Sequence, residues 1–249
     1  MLRALEQIRR MRGGAQSHLM RCDDGYYYVV KFQNNPQHTR VLVNELLGTR
    51  LASRLGLPTT PAAIISVSED LIRLTPDLCM EMPRLTLLDF LPDKQLMEVE
   101  NLHQFPGMLV FDKWTCNTNG RQTLFFREQQ DGAEAESRYR AVMIDQGFCF
   151  NAGEWNFPDA PLRGLYARNR VYEGVTGRES FGPWIERLEK RITERVFYDL
   201  IGEIPPEWYD DDLDAVMRLA KQLYRRRTLV PELLLAARNT TRHPFPNWM

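Results

Sequence analysis

Leu42, Leu46, Leu47, Leu51 and Leu55 recur at three- and four-residue spacing and stop at Gly56 and Pro58, which predicts an amphipathic helix closed by its own breakers. Ahead of it, 18–21 and 26–32 are rich in residues that favour strands, and Asp23-Asp24-Gly25 between them is a turn signal, so the two form a hairpin that Asn34, Asn35 and Pro36 end. Segment 1–11 reads either as a short amphipathic helix or as an extended lead-in, ended by the Gly13-Gly14 pair. Beyond the helix, 61–67 is a β-branched run compatible with a strand, 68–70 a turn and 71–74 a further short strand.

From Leu96 the pattern turns helical, and 104–114 is an apolar stretch interrupted by Pro106 and Gly107. A polar loop at 117–121 separates it from strand 123–126, and the polar turn 129–137 leads to the apolar run 139–144, which ends at Asp145-Gln146-Gly147. The remainder is irregular up to about 183, after which helices are predicted around 183–200 and 211–226. The Pro-containing tail 243–249 reads either as mobile or as pinned by Trp248.

Composition narrows the class. With 249 residues and 43% hydrophobic content the chain can bury one sizeable core or two small ones. A net charge of −1 from 32 basic and 33 acidic residues argues against nucleic acid or an anionic membrane as partner. Cys22, Cys79, Cys116 and Cys149 form no C-x-x-C pair, and His18, His38, His103 and His243 show no ligand spacing, so a structural zinc site is not expected. The first residues alternate charged and apolar without the apolar core of a secretion signal, and no run approaches the length of a membrane span, which points to the cytoplasm. Arg225, Arg226 and Arg227 read as a solvated helix end, and Trp155, Trp184 and Trp208 as packing residues.

One order of residues carries chemistry. In kinases a glycine-containing hairpin covers the phosphates, a strand lysine neutralises them and a helix glutamate pairs with that lysine. Here Gly13, Gly14 and Ser17 precede the first hairpin strand, Lys31 ends the second, and Glu45 lies on the helix that follows. Asp145 closes an apolar strand and Gly147 follows it, the layout of a metal-binding Asp-x-Gly beneath a nucleotide.

On these residues the chain resembles the HipA-like kinases, atypical protein kinases whose fold is also related to the phosphatidylinositol kinases. The resemblance rests on Val29-Val30-Lys31-Phe32, Asn44-Glu45-Leu46, Leu55-Gly56-Leu57-Pro58, Phe111-Asp112-Lys113-Trp114, Asn117-Thr118-Asn119, Ile144-Asp145-Gln146-Gly147 and Pro205-Pro206-Glu207-Trp208. It implies a two-lobed α+β kinase-like fold. Lobe 1–85 would hold an antiparallel sheet and a helix, and lobe 86–249 would be mainly helical.

It also implies ATP and Mg²⁺ as ligands. Lys31 would hold the α- and β-phosphates, Glu45 would orient Lys31, Asp145 would bind Mg²⁺, and the backbone of 81–87 would hold adenine. The departure lies in the loop where such kinases carry an N-x-D-R-like run with an asparagine further on, because this chain reads Asn117-Thr118-Asn119-Gly120-Arg121-Gln122. Either Asn119 or, in another register, Asn117 stands in the base slot, and Gln122 replaces the metal-binding asparagine. An amide can orient a hydroxyl but takes up no proton at neutral pH. Asp112 is either a substitute base or a structural carboxylate, and Arg121 either covers a γ-phosphate or pairs with an acidic neighbour. Two functions follow: a kinase phosphorylating a Ser/Thr hydroxyl of a protein, or a pseudokinase serving as a binding or regulatory module. The chain is short for the resembled family, so a protein partner is expected to help recognise the substrate.

Overall fold

A computed structural model describes residues 2–11, 17–33, 38–75, 88, 90–127 and 138–249. The architecture is mixed α+β: a curled N-terminal sheet, a two-stranded sheet and a largely helical remainder.

The N-terminal sheet has the order β3-β2-β1-β4. Strand β1 (Leu2–Arg10) pairs antiparallel with β2 (His18–Cys22), β2 pairs antiparallel with β3 (Tyr27–Val30), and β1 also runs parallel to the short β4 (Ile65–Ser66). Of segment 1–11, Leu2–Arg10 is thus extended and belongs to the sheet itself. Leu2, Leu5, Ile8 and Met11 mimic helical spacing because β1 has two irregularities of register, between Ala4 and Glu6 and between Gln7 and Arg9, which break the two-residue alternation of a regular strand. Ala4, Met20, Cys22 and Val30 form a small core under this sheet.

Helix α1 (Arg40–Arg54) is the predicted amphipathic helix. It buries Val43, Leu46, Leu47 and Leu51 in a second, larger core rather than under the sheet. The run 61–67 yields only β4. Instead of a turn and a strand, 68–74 forms the short helix α2 (Glu69–Leu74): the Ser68 side chain accepts from Leu71 N at 3.2 Å, and Glu69 and Asp70 sit at the positive end of the helix dipole.

After the short helix α3 (Asp93–Leu96), helix α4 (Phe105–Thr115) runs straight through Pro106, which occupies its first turn where no backbone donor is missed. Every residue of α4 is buried. Gly107 is required there, since a Cβ would lie 2.4 Å from the Trp184 ring. Strands β5 (Gln122–Arg127) and β6 (Tyr139–Ile144) pair antiparallel in the predicted order, and Phe125, Ala141 and Met143 join the larger core.

The helix predicted over 183–200 is two helices, α5 (Gly182–Arg191) and α6 (Glu194–Ile201), broken at Ile192, whose side chain is fully buried and whose carbonyl is taken by Arg227 Nη1 at 2.7 Å. Helix α7 (Leu213–Arg226) matches the second prediction and is followed by α8 (Val230–Arg238). The arginines at the end of α7 are not a solvated trio: Arg226 is buried, pairs with Asp159 and holds the carbonyls of Trp114 and Lys113, which end α4. In the tail, Trp248 packs on Phe181 and Phe245. Trp155 and Trp184 are buried, and Trp208 packs against the larger core.

Among the described residues no helix is long and apolar enough to cross a membrane.

Candidate active site

Three elements deliver three charges to one point. Lys31 follows β3, Glu45 projects from the second turn of α1, and Asp145 follows β6. Lys31 Nζ donates to Glu45 Oε1 and, at 2.9 Å, to Asp145 Oδ1, and all three side chains keep about a fifth of their surface exposed, with 17% for Lys31. Residues 114 positions apart in the chain therefore meet at a partly open spot.

The electrostatics are lopsided. Burial disfavours the charged form of Lys31, yet Glu45 and Asp145 outweigh it and raise the ammonium above the ordinary lysine value. Burial raises Glu45, reinforced by Asp145 and opposed by Lys31. Burial would also raise Asp145, but Lys31 and, further off, Arg121 hold its carboxyl below the usual range. Of the two carboxyls, Asp145 is the one held below its ordinary range.

Glu45 does more than face the lysine. Its two oxygens accept from Gln146 N at 3.0 Å and Gly147 N at 2.9 Å, so α1 grips the turn that carries Asp145. Gly147 lets that approach happen, because a Cβ would lie 2.9 Å from Val41 Cγ1 and 3.0 Å from Glu45 Oε1. Asp145 adopts φ +57°, a left-handed conformation that aspartate tolerates better than most residues.

Asn44, the neighbour of Glu45 in the Asn44-Glu45-Leu46 motif, is fully buried. Its Nδ2 donates to the carbonyls of Gly147, Cys149 and Ala152 at 2.9, 3.0 and 2.6 Å, and its Oδ1 accepts from Trp155 Nε1 at 2.9 Å. The segment it holds contains Phe150, Asn151 and Ala152, all with positive φ, and such strain persists only where surroundings over-determine it. An amide inside an apolar helical run was the available signal, since buried polar side chains need partners.

The loop after α4 turns inward. Arg121 donates through Nε and Nη2 to both oxygens of Asp112 and through Nη1 to Ile144 O at 3.0 Å and Gln146 Oε1 at 3.1 Å. The side chains of the pair are 1% and 0% exposed. Arg121 is thereby paired with an acidic neighbour, and both oxygens of Asp112 are taken by Arg121 and Asn117. Asn117 is buried as well, donating to Asp112 Oδ1 at 2.9 Å and accepting from Asn119 N at 3.1 Å. Asn119 is partly buried, and Oδ1 accepts from Gly120 N at 2.9 Å. Gln122 opens β5 opposite Ile144, the residue before Asp145, with its side chain exposed.

Ser17 O accepts from Met11 N at 2.8 Å, closing the β1–β2 connection. Gly13, Gly14 and the 81–87 stretch lie outside the described residues, as does Cys79, whereas Cys22, Cys116 and Cys149 are buried free thiols. Among the described residues no group of three or more His, Cys, Asp or Glu is placed to hold a metal ion by itself.

A family model described as HipA-like kinase matches residues 5–152, more than half of the chain, and takes in Lys31, Glu45, Asp145 and the loop 112–122. No curated protein and no solved structure matches the chain.

Proposed function

We propose, on the premise that the chain belongs to the HipA-like kinase family, that it binds ATP at Lys31, Glu45 and Asp145 and passes the γ-phosphate to a Ser or Thr hydroxyl of a protein. The observation that carries this reading is the contact of one ammonium with two carboxylates from distant elements. A structural scaffold has no use for a partly exposed lysine clamped this way, whereas phosphate binding needs a fixed cation.

Mg²⁺ fits the donor set. The carboxyl of Asp145 is held below its ordinary range, partly exposed and gripped at its turn by Glu45, and the exposed Gln122 lies opposite Ile144, the residue before it, so Asp145 with Gln122 would hold the ion. When bound, the ion neutralises charge on the phosphates. Lys31 would then bind the α- and β-phosphates, Glu45 would hold both the lysine and the 146–147 backbone in place, and Gly13, Gly14 and Ser17 would cover the phosphates. In this reading 1–85 is the lobe that covers the nucleotide, 86–249 is the lobe that carries the metal and the substrate, and the protein works in the cytoplasm with a protein partner.

Segment 112–122 contains a single carboxylate, Asp112, and Arg121 and Asn117 occupy it inside the core. Asn119 or Asn117 can orient a substrate hydroxyl without deprotonating it, so turnover by the unmodified chain is slower than with a base by about 10²–10⁴-fold. That same occupancy favours the second reading, a pseudokinase that binds nucleotide and regulates a partner.

Calorimetric titration of ATP with Mg²⁺ into the protein, beside Lys31→Ala and Asp145→Ala, tests the site. Binding by the wild type that weakens in both variants supports it, and autophosphorylation then separates kinase from pseudokinase. A folded wild type that binds no ATP removes both nucleotide readings.

A further inference from the structure

Asn119-Gly120 is the single Asn-Gly pair of the chain, and it sits at the position where the loop lacks a carboxylate. Glycine leaves its own nitrogen unshielded, and Gly120 is exposed. Its N–H donates to Oδ1 of the preceding side chain at 2.9 Å, so the backbone nitrogen already lies against the amide group of Asn119. Neighbouring atoms are held on both sides: Asn119 N donates to Asn117 Oδ1 and Asn119 O accepts from Gly164 N at 3.2 Å. Nδ2 of Asn44, Asn101 and Asn117 is committed to hydrogen bonds, while Nδ2 of Asn119 makes none with the described residues.

We propose that Asn119 is a site of spontaneous modification, its side chain cyclising onto Gly120 nitrogen and hydrolysing to an aspartate that supplies the carboxylate missing from the loop. The second half of this statement rests on the kinase reading above; the first does not.

The chemistry needs only water. Gly120 nitrogen loses its proton and attacks Cγ of Asn119; the new C–N bond closes a five-membered imide, and the Cγ–Nδ2 bond breaks with the nitrogen leaving as ammonia. Water then opens the ring. Breaking the bond between Cγ and the ring nitrogen restores the normal backbone with an aspartate side chain, and breaking the bond at the backbone carbonyl gives isoaspartate, whose chain runs through the side-chain carbon. Nothing is oxidised or reduced, and because the nucleophile must be deprotonated the rate rises with pH.

The full chain is incubated at mildly alkaline pH and its tryptic peptide 114–121, which ends at Arg121, is sequenced by mass spectrometry over time. Conversion at Asn119 is expected to run at least about tenfold faster than at Asn117 in the same peptide, a barrier difference of about 1.4 kcal/mol, and Gly120→Ala is expected to slow it by a similar factor. Equal rates at the two asparagines, or no effect of Gly120→Ala in a folded variant, overturn the proposal. Asn119→Asp tests the carboxylate: autophosphorylation about 10²–10⁴-fold above freshly prepared wild type supports it. If Asn119→Asp binds ATP as the wild type does and gains no turnover, the carboxylate role falls and the nucleotide site stands. If neither protein binds ATP, the nucleotide site falls and with it the carboxylate role, while the mass measurement alone still decides the modification.

Discussion

Arg121 and Asp112 are joined by two nitrogen–oxygen contacts inside the core, and the same guanidinium holds the carbonyl of Ile144, the residue before Asp145. The ion pair therefore fixes the distance between the loop after α4 and the turn that presents Asp145. Its charge also helps to keep Asp145 ionised.

Removing either partner leaves a lone charge where water does not reach. Asp112→Ala and Arg121→Ala are each expected to lose about 3–5 kcal/mol of stability in urea unfolding. Asp112→Leu combined with Arg121→Met recovers part of that loss, and the shortfall measures the bonds to Ile144, Gln146 and Asn117. ATP affinity, measured by calorimetry, should remain weakened in the double variant because Asp145 is no longer steadied from behind.

Glu45→Gln tests the grip of α1 on the Asp145 turn. A carboxylate accepts from Lys31, Gln146 N and Gly147 N at once, whereas an amide presents a donor to one of them. Thermal unfolding is expected to fall by the equivalent of about 1–3 kcal/mol, the cost of an unsatisfied polar group. Gly147→Ala should reduce ATP binding through the same contact, since the new methyl group would press on Glu45 Oε1 and Val41.

Asn44→Ala deprives three carbonyls and the Trp155 indole N–H of their partner. A loss of at least about 1–3 kcal/mol in urea unfolding is expected. With the strained segment 150–152 released, Trp155 fluorescence should shift to the red.

Lys113 is buried, with Nζ directed at the carbonyls of Ala160, Pro161 and Arg163. Burial pushes it down to about 8 from the ordinary 10.5, against the pull of Asp112 and Asp159. Between these values the unfolded chain holds the proton and the folded chain does not, so stability rises with pH across that window. Lys113→Met should remove this slope in unfolding curves recorded from pH 8 to 10.5.

Lys31, Glu45 and Asp145 were legible because each sits at a boundary that local chemistry marks: the end of a β-rich run, a turn of an amphipathic helix, and an apolar strand before a glycine. Strand β1 was ambiguous because its register irregularities erase the alternation on which strand reading depends. The pairing of Arg121 with an acidic neighbour was one of two alternatives open in the sequence, while its bond to Ile144 and the burial of Arg226 against Asp159 left no mark, since both are decided by partners in other segments. The break between α5 and α6 is of the same kind, held by Arg227 from a different helix.

The sheet and the helical remainder keep separate cores with no side chain in common, and Glu45 and Asp145 both belong to segments anchored beside the larger one. Among the described residues, Lys31 alone comes from the sheet side to form ion pairs with them. Any tilt of the sheet is therefore registered first as a stretch of two ion pairs rather than as damage to either core. The lysine is a gauge of the spacing between the sheet and the larger core.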